Sequence, residues 1–177
     1  TTAGRAPLTE EWFARWCREE NWQVHFVNLT ETRAGISLAG PRAREVLSLL
    51  TDADISGEAL PYQHWTHLEV AGVKVLVTRI GFVGELNYEL FCPSSQGAYL
   101  WNQLLEAGKP FGLVPFGLEA LNICRLEKGH VMPGLDTDSF TNLFESSMGW
   151  LLDSAKTDTV GKPMLDLYAG QDSSQKY

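Results

Sequence analysis

The sequence lacks the features that mark disulfide-bonded, metal-binding, membrane-spanning or nucleic-acid-binding proteins. It has 3 cysteines among 177 residues, with no CxxC and no Cys/His spacing typical of zinc sites. We therefore expect reduced thiols, a cytoplasmic location and no metal. No apolar run approaches the length needed to cross a bilayer. No run of Lys or Arg is present, and the formal charge of −8 argues against binding to nucleic acid or anionic membranes.

The hydrophobic pattern indicates one α+β domain, because apolar residues repeat with strand spacing in some segments and with helix spacing in others. With 44% hydrophobic residues in 177, the chain is long enough to bury a core. We predict antiparallel sheets with packed helices over residues 1–165 and a loose tail over 166–177. Strands are predicted at 22–30, 33–38, 64–70, 73–80 and 86–92, and helices from Thr9, after Gly40-Pro41, around 99–105 and at 116–128.

A glycine-bracketed turn before Glu85 is the most informative segment. Gly81 and Gly84 let the backbone turn sharply and leave room for a flat group to approach. A carboxylate at such a turn suits a ligand with adjacent N–H donors, such as a pterin or a guanine. A tight hairpin with a solvated glutamate has the same pattern, so both interpretations stay open. Strand alternation then separates two faces: Leu86, Tyr88 and Leu90 against Glu85, Asn87 and Glu89.

Two further groups of polar residues have both a functional and a structural interpretation. The guanidinium of Arg125, on the predicted helix 116–128, could make a two-pronged contact with a carboxylate or with ligand acceptors. It could equally form an exposed ion pair, which contributes little stability. Asp136 and Asp138 have the oxygen ligands that a metal prefers, but such residues more often cap their own turn. We therefore predict no metal site.

Several segments together resemble the glycine-cleavage T-protein (aminomethyltransferase) family, whose signature often reads R-x-G-Y-T-G-E or R-I-S-F-S-G-E. Order and spacing agree across most of residues 1–165. The similar segments are 39–47 (AGPRAREVL), 79–85 (RIGFVGE), 115–121 (PFGLEAL), 125–129 (RLEKG), 134–138 (GLDTD), 148–150 (MGW) and 156–158 (KTD). Within the family, the chain most resembles the C-terminal, folate-binding half of the sarcosine oxidase alpha subunit.

The resemblance implies a T-protein-like domain, incomplete at both ends, that binds tetrahydrofolate. Family members place a one-carbon unit, carried as an aminomethyl or iminium group, onto tetrahydrofolate to give methylene-tetrahydrofolate. The implied source here is an oxidised methylamine such as sarcosine. Glu85 matches the family glutamate that holds the pterin edge, and Arg125 matches the arginine near the folate. The implied partners are flavoprotein subunits or domains of an amine oxidase, whose flavin site is expected outside this chain.

The chain also departs from the family pattern. The family's catalytic aspartate lies upstream of the segment that Thr1 begins, so no catalytic residue is assigned here. The turn has Phe82-Val83 where the family has Tyr-Thr or Phe-Ser, and Asn142-Leu143 replaces the usual Thr-Pro. These differences keep a second interpretation open, in which the chain is a degenerate T-protein-like module with a structural or subunit-assembly role and no catalysis.

Overall fold

The computed structural model describes residues 3–153 and 155–169, which contain five α-helices and one four-stranded antiparallel sheet. The helices are α1 (Ala6–Glu19), α2 (Ala43–Ser48), α3 (Gly97–Gly108), α4 (Leu118–Lys128) and α5 (Lys162–Ala169). The strands are β1 (Arg33–Ala39), β2 (Trp65–Val70), β3 (Val73–Thr78) and β4 (Asn87–Pro93). The predicted α+β class is confirmed. The chain divides into two compact units, the first ending at Leu121 and the second beginning at Asn122.

The sheet of the first unit has the strand order β1-β4-β3-β2. β2 and β3 form a hairpin whose turn residues, Ala71 and Gly72, have φ angles of 50° and 78°. Positive φ at both central residues is typical of the type I′ turn, whose twist matches that of antiparallel strands. The hairpin predicted at Ala71-Gly72 is therefore confirmed. β1 pairs with β4, so that Leu38 lies opposite Tyr88.

The hydrophobic core lies on one face of this sheet. Alternate residues of β3 and β4 are buried, because successive side chains of a strand point to opposite faces. Helices α2 and α3 contribute the other side of the core. Each large side chain buried there adds about 1.5–3 kcal/mol of stability. The buried core residues of β3, β4, α2 and α3 are Val73, Val75, Val77, Tyr88, Leu90, Cys92, Ala43, Val46, Leu47, Leu100 and Leu104.

The N-terminal part of the chain differs from the prediction. Helix α1 begins at Ala6 and has Pro7 in its first turn. N–H groups in the first turn have no partner within the helix, so proline is tolerated there. Thr9 therefore lies inside the helix, and its hydroxyl donates to the Arg5 carbonyl. The strand predicted at 22–30 is wrong, since residues 22–29 have no regular structure. Alternating apolar residues make a strand only where a neighbouring strand accepts their backbone hydrogen bonds.

The second unit contains turns that side chains hold together. Asp138 accepts a hydrogen bond from the Phe140 N–H at 2.9 Å. Asn142 accepts from the Glu145 N–H at 3.1 Å, and the Glu145 carboxylate accepts from the Asn142 N–H at 2.9 Å. This reciprocal pair has the arrangement of a capping box. Local side-chain hydrogen bonds thus replace sheet and helix ladders over much of this unit.

Helix α5 lies at the end of the described chain. It includes residues 166–169, where the loose tail is predicted to begin. The remainder of that tail, 170–177, lies outside the described residues, and the predicted extent of the domain, 1–165, stays a prediction. No helix among the described residues is long and apolar enough to span a bilayer.

Candidate ligand-binding site

The turn that carries Glu85 joins β3 to β4. β3 ends at Thr78 and β4 begins at Asn87, so the turn extends beyond the glycine-bracketed segment. Gly84 has a φ of 83°, in the left-handed region where a side chain is disfavoured. The prediction that Gly84 allows a sharp change of direction is therefore confirmed.

Gly81 has a different role from the one predicted. A Cβ atom at Gly81 would lie 2.1 Å from the Cβ and 2.4 Å from the Cγ of Asn87. The space left by the absent side chain is therefore filled by Asn87. The expectation that Gly81 leaves room for a flat group is wrong at this position, because the alternation of β4 brings the Asn87 side chain against it.

The Glu85 carboxylate is exposed. Within the part of the chain that the structure describes, it has no hydrogen-bond or ion-pair partner. Both oxygens are therefore free to accept hydrogen bonds, as an ionised carboxylate can. The same state fits a ligand contact and a solvated glutamate, so the role of Glu85 as a folate contact stays a prediction.

Arg79, the first residue of the family-like signature, anchors the start of the turn. Its Nη1 donates to the Leu60 carbonyl at 3.0 Å, and its backbone N–H donates to the His64 carbonyl at 2.8 Å. Its own carbonyl accepts from the Gln63 N–H at 2.9 Å. These three bonds tie the end of β3 to the preceding loop. Arg79 therefore has a structural role in this unit.

Glu89 is a second acidic residue near the turn. It lies opposite Thr78 on β3 and opposite Ser37 on β1. Its side chain is half-buried, and burial raises the pKa of Glu89 above the usual glutamate value. The Thr78 hydroxyl is buried and has no hydrogen-bond partner within the described chain. The alternation of β4 predicts the face on which Glu89 lies, but the pattern alone does not predict its burial.

Arg125 is buried in the second unit, with 4% of its surface exposed. Its Nη1 donates to the Asp136 carboxylate and, at 3.1 Å, to the His130 carbonyl. Its Nε is also buried and has no acceptor among the described residues. The expected alternative of an exposed ion pair is therefore wrong for Arg125, because the guanidinium is buried and its partner, Asp136, comes from the loop after α4.

Asp136 holds both the loop and the arginine. It accepts the Met132 N–H at 2.6 Å, and this bond, followed by the one from Arg125, keeps the pKa of Asp136 below its ordinary value. The Asp138 carboxylate accepts three hydrogen bonds from Phe140 and Thr141, which lower the pKa of Asp138. The turn-capping interpretation of Asp138 is thus confirmed. The described residues include no group of three or more His, Cys, Asp or Glu placed to hold a metal.

The two predicted folate contacts lie in different compact units. Glu85 belongs to the first unit and Arg125 to the second. One is exposed and unpaired, whereas the other is buried and paired with an acid. Sequence reasoning named Asn87 and Asp136 but missed their contacts: Asn87 bonds to the Ile80 carbonyl and to Ser37, and Asp136 pairs with Arg125.

Comparison with known proteins finds a matching family model and similar relatives. The family model described as the GCVT N-terminal domain matches residues 1–156. An aminomethyltransferase of Chloroherpeton thalassium is 37% identical over 140 residues, which cover 79% of this chain and 38% of the relative. A sarcosine oxidase subunit alpha of Corynebacterium sp. (strain P-1) is 34% identical over 167 residues, which cover 92% of this chain and 17% of the relative. The chain thus spans less than half the length of these relatives.

One solved structure is similar over part of the chain. It is heterotetrameric sarcosine oxidase from Corynebacterium sp. U-96 in complex with pyrrole 2-carboxylate. The TM-score is 0.45 with 22% sequence identity, over 51% of this chain and 45% of that chain.

Proposed function

The chain belongs to the GCVT N-terminal domain family, and on that premise we propose that it is a tetrahydrofolate-binding domain of an aminomethyltransferase-like enzyme. In this proposal, the enzyme takes a one-carbon unit from an oxidised methylamine such as sarcosine. It transfers that unit, as the carbon of an iminium group, to tetrahydrofolate. Two folate N–H groups are replaced by bonds to this carbon, which gives methylene-tetrahydrofolate, and the amine leaves with both protons. The relatives named as sarcosine oxidase subunits support flavoprotein subunits or domains as partners.

The state of Glu85 supports the proposal most directly. The pterin edge of a folate presents a ring N–H beside an exocyclic amine. A carboxylate accepts such a pair with its two oxygens, and charge makes these bonds stronger than those to a neutral group. Glu85 is exposed and without a partner in the described chain, on a turn that Arg79 anchors. These residues therefore fit a folate.

Arg125 is proposed as the second contact. Its Nη1 is committed to Asp136 and to the His130 carbonyl, whereas its Nε has no acceptor in the part of the chain that is described. A guanidinium carries several N–H donors, so one that is not already used can bind an acceptor atom of the folate. A buried donor without a partner is costly. An acceptor on a ligand would remove that cost.

The contribution of this chain to the reaction is positioning. Tetrahydrofolate supplies the two nitrogens that bond to the one-carbon unit. In this proposal Glu85 accepts hydrogen bonds from the folate and Arg125 donates one to it, and neither role requires the transfer of a proton. Holding a reactant in the productive orientation lowers the entropy lost on reaching the transition state. The proposal places no residue of this chain at the reacting atoms.

A second candidate is a structural or subunit-assembly module. The exposed aromatic residues of the N-terminal part favour it, because Trp12 and Trp22 are both 51% exposed, and Phe13 and Phe26 are 46% and 44% exposed. Aromatic residues are enriched at protein interfaces relative to other surfaces. This candidate predicts that the chain binds no folate.

Calorimetric titration with folinic acid, a stable tetrahydrofolate analogue, separates the two candidates. Glu85→Gln should weaken binding about 10- to 100-fold, because a hydrogen bond to a charged group is worth about 1.5–3 kcal/mol. Glu58→Gln is the matched control, since Glu58 is also an exposed glutamate of the first unit. Equal affinity of Glu85→Gln and the wild type would contradict the folate assignment. Absence of binding by the wild type would favour the assembly module.

A further inference from the structure

Asn87 is a buried polar residue at the base of the Glu85 turn. It is 3% exposed and is the first residue of β4. Burying a primary amide is costly unless its polar atoms form hydrogen bonds. The partners of Asn87 therefore indicate which parts of the fold it holds together.

The amide of Asn87 bonds in two directions. Its Nδ2 donates to the Ile80 carbonyl at 3.0 Å, which closes the turn across its base. Its Oδ1 accepts from the Ser37 hydroxyl on β1, also at 3.0 Å. A carbonyl can only accept, so the nitrogen of the amide must face Ile80. One side chain thus joins the start of the turn to its end and to the neighbouring strand.

Two further contacts fix the same base. Gly81 packs so closely on Asn87 that a Cβ there would lie 2.1 Å from the Asn87 Cβ. The Leu86 carbonyl accepts the Gly40 N–H at 2.9 Å, which ties the other end of the turn to the end of β1. Both ends of the turn are therefore held, and Glu85 lies between them.

We propose that Asn87 is a positioning residue that holds the Glu85 carboxylate in place for a ligand with adjacent N–H donors. The inference rests on the proposed function, because it takes Glu85 as a ligand contact. Asn87 does not touch the ligand. It orders the turn before binding, so that less conformational entropy is lost when the ligand binds.

Two variants each remove one hydrogen bond of Asn87 and separate its roles. Asn87→Asp has the same shape but, in its ionised form, cannot donate to the Ile80 carbonyl, whereas it can still accept from Ser37. Ser37→Ala removes the strand contact and leaves the bond to Ile80. We expect folinic acid to bind roughly tenfold more weakly to Asn87→Asp, because the turn must then become ordered when the ligand binds. The affinity of Ser37→Ala should fall less than twofold.

Hydrogen exchange and a double variant test whether Asn87→Asp weakens folinic acid binding by disordering the turn. The Gly40 amide, which donates to the Leu86 carbonyl at the end of the turn, should exchange faster in Asn87→Asp than in Ser37→Ala. Adding Asn87→Asp to Glu85→Gln should weaken binding less than twofold further, because the contact that Asn87 supports is already lost. A second full tenfold loss would overturn the inference. Near-UV circular dichroism checks folding, and Asn87→Ala replaces Asn87→Asp if the latter does not fold.

The outcomes distinguish this inference from the proposed function. Weak binding by Glu85→Gln with wild-type binding by Asn87→Asp overturns the role of Asn87 and leaves the folate site intact. Wild-type binding by Glu85→Gln overturns the folate site and, with it, the role of Asn87. Weak binding by both single variants, with no further loss in the double variant, supports both proposals.

Discussion

Replacing Gly81 by alanine should destabilise the first unit by about 3–5 kcal/mol. The added Cβ would lie 2.1 Å from the Cβ of Asn87, so one of the two residues must move. Inserting a methyl group into a packed site costs about 1–3 kcal/mol. Displacing the Asn87 amide also breaks its hydrogen bonds to Ile80 and Ser37, each worth about 1 kcal/mol.

The measurement is urea unfolding followed by circular dichroism. A loss of this size is a large part of the roughly 5–15 kcal/mol by which domains are stable. It should shift the midpoint by more than 1 M, since m-values for small proteins are about 1–3 kcal/mol per M. Gly72→Ala is the control for backbone strain alone, because Gly72 has a φ of 78° with nothing within 4 Å of an added Cβ, and its replacement should cost about 1–2 kcal/mol.

A double-mutant cycle tests the stated cause. Asn87→Gly removes the atoms with which the new Cβ collides, although it destabilises the unit by itself. Gly81→Ala should therefore cost less than about 1 kcal/mol in the Asn87→Gly background, so the two changes are not additive. A loss below about 1 kcal/mol for Gly81→Ala alone, or additive losses in the cycle, would refute the reasoning.

Three further predictions follow from the acids and thiols of the described chain. The hydrogen bond from the Met132 N–H, followed by the one from the Arg125 guanidinium, keeps the pKa of Asp136 below its ordinary value. The stability that Asp136 contributes is present above the pKa of the unfolded state and is lost as the pH falls through the pKa of the folded state. In a plot of urea midpoint against pH, Asp136→Asn should therefore reduce the fall of the midpoint at acid pH. Burial raises the pKa of Glu89 above 4.5, so its stabilisation is complete below that value and is lost as pH rises through the folded pKa. Glu89→Gln should therefore raise Tm at pH 7 and much less at pH 4; a lower Tm at pH 7 would contradict the burial argument. Cys92 is fully buried and burial raises its pKa, so a thiol reagent should label the half-buried Cys17 and Cys124 first. Equal labelling rates of all three thiols in the folded chain would show that Cys92 is accessible.

Local patterns predicted the parts of the fold that depend on neighbouring residues. The alternation of β3 and the Ala71-Gly72 turn were sufficient for the hairpin, because both strands and their connection lie within one short segment. The segment 22–29 has a similar alternation but no partner strand, and it does not form a strand. A pattern shows which face a strand could bury, whereas pairing depends on residues far along the chain.

The candidate site was predicted in part for the same reason. Glu85 stands in a signature that can be recognised from consecutive residues. The partner of Asn87 on β1, Ser37, is 50 positions away, and Asp136 reaches Arg125 over 11 positions. No local periodicity encodes such contacts, so the sequence did not predict them.

The pairing of β1 with β4 has a consequence for how the first unit folds. Joining Ser37 to Asn87 closes a loop of 50 positions, for which the entropy cost is about 3.5 kcal/mol plus a constant. The β2–β3 hairpin closes through a two-residue turn and avoids most of this cost. We therefore expect the hairpin to form early and the hydrogen bond from Ser37 to Asn87 to form only after β4 has docked on β1. The strand contact beneath the candidate site is thus among the last parts of this unit to form, and during synthesis it cannot form before β4 has been made.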